Sequence, residues 1–189
     1  RNPGGNVNRA VLVRRASMNS HDWVGAISSL DITSGKMKYS IGVDLRNYKG
    51  YHYRVLNDLL GLDGYYSGGN RNSAGQIINT TVEANPFKNT GIRGPKIDYY
   101  NIGNVGWRGL NGMAEYTDDK FTAVLQVGTS TQSYQREDYF DQPANPISHK
   151  KIVAGAYVKG GLNYIVSDVS NFFVNGGLIS RQPLFDAVF

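Results

Sequence analysis

From residue 37 to residue 46 the chain alternates without a break: Met37, Tyr39, Ile41, Val43 and Leu45 are apolar or aromatic, and Lys38, Ser40, Gly42, Asp44 and Arg46 lie between them. Successive side chains of an extended strand point to opposite faces, so this pattern makes a two-faced strand and cannot make an amphipathic helix. Residues 121–131 repeat it. Phe121, Ala123, Leu125 and Val127 take one side, Thr122, Gln126, Gly128 and Ser130 the other, and Val124 interrupts the polar set. Weaker alternation over residues 21–32, 105–116, 152–164 and 171–181 raises the expected number of strands to six. A helical period appears only at residues 54–61, where Val55, Leu56, Leu59 and Leu60 would share a face and Gly61 would end a short helix. The 13 Tyr, 23 Gly and 19% charged residues suit strands and loops better than helices.

The connections alternate in length. Short turns are expected at residues 33–36, 117–120 and 165–170, all built from residues that favour tight hairpins. Long connections, Gly-rich and aromatic, are expected at 49–104 and 137–151. Brief turns at one rim and extended loops at the other define an up-and-down antiparallel barrel. The organisation is then the end of an outer loop (1–20), three hairpins (21–48, 105–136 and 152–181) separated by the two long loops, and the start of another loop (182–189). Eight strands is the usual minimum for a closed membrane barrel, so six make a segment of a larger one or one share of an assembly. The Gly/Asn-rich stretch from Asn2 to Asn8 carries no signal-peptide pattern, and we expect a mature piece or a fragment.

Several chemistries are excluded. With no cysteine there is no disulfide framework, thiolate metal site or cysteine nucleophile. The net charge of +5 is spread along the chain without a basic cluster, which argues against nucleic acid as a partner. No apolar run approaches the length of a transmembrane helix, a test to which barrel strands are invisible.

The strand parities define an apolar face: Val24, Ala26, Leu30, Ile32; Met37 to Leu45 at odd positions; Leu110, Ala114, Tyr116; Phe121 to Val127 at odd positions; Ala154, Ala156, Val158, Leu162, Tyr164; and Phe172, Val174, Leu178. Asp31, Lys38, Asp44, Arg46, Glu115, Arg136, Lys159 and Arg181 take the opposite face, with Arg108 the exception. A soluble sandwich would segregate likewise with its apolar face turned inward. Three features favour lipid. Ten residues at about 3.3 Å each, tilted by about 45°, rise roughly 23 Å, the height of an outer-membrane apolar band. Tyr39, Tyr116, Phe121, Tyr164 and Phe172 lie on the apolar face close to short turns, where an aromatic girdle belongs. The charged face is rich in Gly, Ser, Gln and Asn, which suits a hydrated lumen. Trp23, Trp107 and Tyr134 fall near the other rim on the opposite parity and need bulges or a lumen-facing role.

No catalytic residues are assigned. His21 and Asp22, with Ser17 and Ser20 nearby, are neighbours in a strand and point to opposite faces, so neither can orient the other. His52 and His149 lack metal-ligand spacing, and Asp58 and Asp63 lack a calcium-loop pattern. No metal or cofactor is expected, and Asn79-Thr-Thr81 carries no weight as a glycosylation sequon. The candidate ligand-binding residues are the loop-rim aromatics and cations Tyr48, Tyr51, Tyr53, Arg54, Tyr65, Tyr66, Tyr99, Tyr100, Tyr134 and Arg136. Tyr139 and Phe140 lie among them. Flat rings with polar tips stack on sugars, aromatic chelates or peptides, and Arg46 and Lys49 add positive charge that attracts anions, lipopolysaccharide phosphate included.

Four runs, Asn19-Ser-His-Asp-Trp-Val-Gly-Ala-Ile-Ser28, Gly42-Val-Asp-Leu-Arg-Asn-Tyr-Lys-Gly-Tyr-His-Tyr-Arg54, Asn57-Asp-Leu-Leu-Gly61 and Val158-Lys-Gly-Gly-Leu-Asn-Tyr164, together with the closing Pro183-Leu-Phe-Asp-Ala-Val-Phe189, resemble the barrel of TonB-dependent outer-membrane receptors. The likeness is to the type with an N-terminal carboxypeptidase-regulatory-like domain, and Gly42 to Gly61 is its most specific part. It implies a plugged 22-stranded barrel in the outer membrane of a Gram-negative cell. The implied partners are an inner-membrane TonB complex reached through a plug outside these residues, outer-membrane lipid and lipopolysaccharide, a surface lipoprotein, and an unidentified nutrient as ligand. The rival readings are a soluble secreted β-sandwich that binds carbohydrate and a β-rich hydrolase dependent on His21 or Asp22.

Overall fold

A computed structural model describes residues 9–10, 12–68, 74–83, 85, 87, 94–142 and 144–189; the Asn2 to Asn8 stretch lies outside them. Among the described residues there are nine strands: β1 (Arg9–Ala10), β2 (Arg14–Ser34), β3 (Met37–Asp58), β4 (Gly64–Ser67), β5 (Gln76–Ile78), β6 (Ile97–Thr117), β7 (Phe121–Asp138), β8 (Lys151–Ser167) and β9 (Ser170–Ser180). A 3-10 turn follows at Phe185–Ala187. The six long strands form one sheet in the order β2-β3-β6-β7-β8-β9, which is chain order, so the topology is up-and-down and antiparallel. The sheet is not closed: β2 and β9 are its two edges.

The chain divides into two compact units, and β2, β3, β6 and β7 each contribute residues to both. The first comprises Arg1–Asp22, Tyr48–Asn104 and Gln135–Lys150. Here the expected helix over residues 54–61 is absent, because β3 continues through Asp58. Val55 and Leu56 are adjacent and both fully buried, which requires a strand covered on its two faces. Tyr53 and Val55 pack with Val82, Ala16, Met18 and Tyr100 on one side, and Leu56 packs with Ile78, Ile97, Val13 and Leu59 on the other. Covering both faces erases the alternation and mimics a helical stripe. The turn after β3 places Leu60 at φ 56° and Gly61 at φ 81°, conformations that end any regular element. The expected 49–104 loop is also partly strand. β3 and β6 extend into it, and β4 and β5 pair antiparallel within it, with β1 parallel to β4.

The second unit comprises Trp23–Asn47, Val105–Tyr134 and Lys151–Phe189. Its register bears on the two-faced reading. Phe121, Ala123, Leu125 and Val127 of β7 lie opposite Tyr164, Leu162, Gly160 and Val158 of β8. Tyr164, Leu162 and Val158 in turn lie opposite Phe172, Val174 and Leu178 of β9. In β7, β8 and β9 the parities chosen strand by strand therefore fall on one common face. The other face carries Gln126 opposite Lys159 and Gly128 opposite Tyr157. Its glycines are filled by neighbours: Tyr157 covers Gly128, Asn111 covers Gly42 and Gln182 covers Gly155. Trp107 lies along Gly109 on this polar side, so neither it nor Tyr134, opposite Lys151, sits on the apolar face. The three short turns fall where the turn residues placed them, Gly35 taking φ 58° in the first.

Candidate functional site

The sequence-nominated residues fall mainly in the first unit, on β3, β4, β6 and β7, and four of them lie on the two faces of β3. On one face Arg15, Ser17, Asn19 and His21 of β2 meet Tyr48, His52 and Arg54 of β3. His21 Nδ1 and the Tyr48 hydroxyl share a hydrogen bond of 2.6 Å, and their rings stack at 5.6 Å. His52 Nδ1–H donates to Asn19 Oδ1 at 2.8 Å, and the His52 ring meets His21 edge-on at 6.1 Å. Arg54 Nε donates to Ser17 Oγ at 3.4 Å. Arg15 and Arg54 each donate from Nη1 to the same atom, Asp98 Oδ2, at 2.7 and 2.9 Å. Beneath Arg54 lies Tyr99, its ring centroid 5.0 Å from the guanidinium carbon. Asp98 adopts φ 64°, a left-handed conformation uncommon for a residue with a side chain.

On the other face Tyr51 donates its hydroxyl to Asp22 Oδ2 at 3.2 Å, with the Lys49 ammonium 5.2 Å from its ring centroid. His21 and Asp22 thus engage different partners on opposite faces. Tyr100 meets Tyr53 edge-on at 6.1 Å and stacks on Tyr139 at 5.0 Å. The Lys96 ammonium lies 4.8 Å from the Tyr100 ring and 5.6 Å from that of Tyr53, and partial burial there lowers its pKa. Tyr139 donates its hydroxyl to Glu137 Oε2 at 2.7 Å, and that bond, with burial second, pushes its pKa up to about 12. Arg136 bridges Asn101 Oδ1 and Asp138 Oδ2 at 3.3 and 3.1 Å.

The structure therefore gathers Tyr48 and Arg54 with Tyr99 on one face, and Tyr51, Tyr53 and Tyr100 on the other. Tyr65 and Tyr66 lie apart on β4, Tyr65 against the Leu56 core and Tyr66 with its ring exposed. Two nominated rings are buried. Tyr53 is 1% exposed at the centre of the Val55 core, and Tyr134, 0% exposed, belongs to the second unit. There the Tyr134 hydroxyl donates to the Pro183 carbonyl at 2.6 Å and the ring packs near Phe185. Neither ring is open to a ligand in the folded chain.

Sequence reasoning passed over Arg15, Asn19 and Asp98, and set Ser17, His21 and His52 aside. Arg15, Ser17, Asn19 and His21 do alternate with Ala16 and Met18, so the strand was legible there, but residues 1–20 read as loop. Nothing local marks Asp98, whose partners lie 83 and 44 residues away. Among the described residues no group of three His, Asp or Glu side chains is placed to hold a metal ion. What the first face offers is a row of hydrogen-bonding side chains with aromatic flanks, chemistry able to pair with a polar or anionic group. Comparison with protein-family models, curated proteins and solved structures finds no match.

Proposed function

We propose that these residues are part of the barrel of a TonB-dependent outer-membrane receptor, with the short turns in the periplasm and the long connections outside. Ligand is captured by the outer segments and passes a lumen lined by polar side chains such as Asp44, Arg46, Gln126 and Lys159. Energy comes from an inner-membrane TonB complex acting on a plug.

The observation that carries this reading is the open apolar face of the second unit. Leu30, Ile41, Leu110, Leu125, Leu162, Val174 and Leu178 are all exposed on it, Leu178 by 77%. A monomeric soluble protein rarely leaves a contiguous apolar patch beyond a few hundred Å². Near the short turns Phe121, Tyr164 and Phe172 stand opposite one another on three adjacent strands, and Tyr116 lies 6.3 Å from Phe121. A row of rings at one level of an apolar face suits the boundary between acyl chains and headgroups. A carbohydrate-binding sandwich needs a second sheet against this face, and among the described residues of this unit every strand belongs to the one sheet.

The test is to extract the native polypeptide that carries these residues and measure its mass and its need for detergent. A mass several times 20.8 kDa and aggregation when detergent is removed are expected. A polypeptide near that mass that stays monomeric without detergent overturns the receptor.

A further inference from the structure

We propose that Arg15 and Arg54 form an anion site for a carboxylate or phosphate group, with Asp98 as a built-in competitor for the same donors. In assigning the site to ligand capture the proposal rests on the receptor reading; its geometry does not. Two guanidinium groups converge on one carboxylate oxygen, at 2.7 and 2.9 Å, so the cluster keeps a net positive charge. A single ion pair needs one arginine. Bringing a second to the same oxygen adds like-charge repulsion that a further anion would relieve. Arg54 is held from three directions, by Ser17, by Asp98 and by the Tyr99 ring, so its planar fork is oriented before anything binds. Each guanidinium has five N–H donors; among the described residues Arg15 gives one to Asp98, and Arg54 gives one to Asp98 and one to Ser17, with Tyr99 a further partner. The donors left over lie in two planar forks, the arrangement that recognises carboxylate and phosphate with paired hydrogen bonds.

Access and strain agree with this. The side chains of Arg15 and Arg54 are 46% and 30% exposed, half-buried and open to solute. Asp98 holds its carboxylate between them from a left-handed backbone conformation, and such strained positions gather where a ligand is clamped. His52, Asn19, His21 and Tyr48 continue the row of polar groups along the same face, giving the rest of an anionic ligand further partners.

The test titrates inorganic phosphate into the native polypeptide in detergent at low ionic strength, where exposed charges are least screened. Asp98→Asn removes the competing charge and should tighten phosphate several-fold. Arg54→Lys, which keeps the charge and loses the fork, and Arg15→Gln should each weaken it by about tenfold, the effect of losing one charge-assisted hydrogen bond. Lys120→Gln, in a short turn, removes one charge elsewhere and should change nothing. Near-ultraviolet circular dichroism unchanged in Asp98→Asn and Arg54→Lys shows that both are folded. Equal phosphate affinity in the wild type, Asp98→Asn and Arg54→Lys overturns the site, as does an equal loss in Lys120→Gln, which would reduce it to bulk charge. Lipid A added to the micelles separates two sources of the anion: competition with phosphate makes it a lipopolysaccharide phosphate, and no competition makes it a dissolved solute. A chain that binds phosphate through these arginines yet stays monomeric without detergent keeps the site and loses the receptor.

Discussion

Asp118, in the second short turn, shows how one carboxylate ties a turn to its neighbour. Its side chain accepts from the Lys36 ammonium at 2.6 Å, from the Asp119 amide at 2.6 Å and from the Tyr116 hydroxyl at 3.0 Å. The Lys36 hydrogen bond is the largest cause that holds its pKa down at about 2. A carboxylate lowered in the folded state contributes stability above its unfolded pKa, near 3.9, and loses that contribution as pH falls through the folded value. The link between these turns should therefore be intact at neutral pH and weaken between about pH 4 and pH 2. A titration of the Asp118 carboxyl carbon by NMR should show a midpoint near 2, and a midpoint near 4 would mean that Lys36 does not hold it. A second residue-scale prediction concerns Tyr134, nominated for ligand and found in the fold. Removing its hydroxyl in Tyr134→Phe leaves the Pro183 carbonyl without that donor and should cost about 1–2 kcal/mol in denaturant unfolding, with ligand affinity unchanged.

At the scale of the strand, two glycines on opposite faces of the sheet are not equivalent, Gly128 opposite Tyr157 on the polar face and Gly176 opposite Gly160 on the apolar one. A β-carbon at Gly128 would run into the Tyr157 ring, whereas one at Gly176 meets nothing within 4 Å. Gly128→Ala should therefore destabilise by roughly 1–3 kcal/mol, because Tyr157 must leave the surface it covers. Gly176→Ala should be neutral or stabilise by up to about 1 kcal/mol through the less flexible unfolded chain. Thermal unfolding of the two variants side by side separates these outcomes. Both glycines were visible in the sequence, but only the pairing of Gly128 with Tyr157 distinguishes them. The same limit explains what else was legible. Strands with one wet and one dry face, such as 37–46 and 121–131, announce themselves through alternation. Val55 and Leu56 do not, since β3 is covered on both sides there and two adjacent apolar residues read as half a helix turn. The short turns were legible because their chemistry is local. The Arg15, Arg54 and Asp98 cluster was not, because β6 brings Asp98 to residues far away in the chain, and only Arg54 stood out, among tyrosines.

For the molecule as a whole, the apolar face sets a depth scale that can be tested. Phe121, Tyr164 and Phe172 form one row across β7, β8 and β9, and Val127, Val158 and Leu178 form another, six residues further along each of β7, β8 and β9. In a bilayer, six residues of strand at about 3.3 Å, tilted by about 45°, would separate the rows by roughly 14 Å along its normal. If the rings mark one boundary of an apolar band about 25 Å tall, the Val127 row lies near its middle. An arginine there meets acyl chains with no headgroup in reach, so Val127→Arg or Leu178→Arg should cost about 2–4 kcal/mol of folding into phospholipid vesicles. Gln126 is adjacent in sequence and equal in depth but lies opposite Lys159 on the polar face. Gln126→Arg should fold into the same vesicles with little loss, since its charge stays in water. A soluble sheet with its apolar face against a protein partner would also reject Val127→Arg, but its stability would not change with the lipid. Repeating the measurement in vesicles of thinner and thicker bilayers separates the two cases: a membrane strand loses stability as the band departs from the spacing of the aromatic row, and equal stability in every bilayer would rule out lipid as the cover of this face.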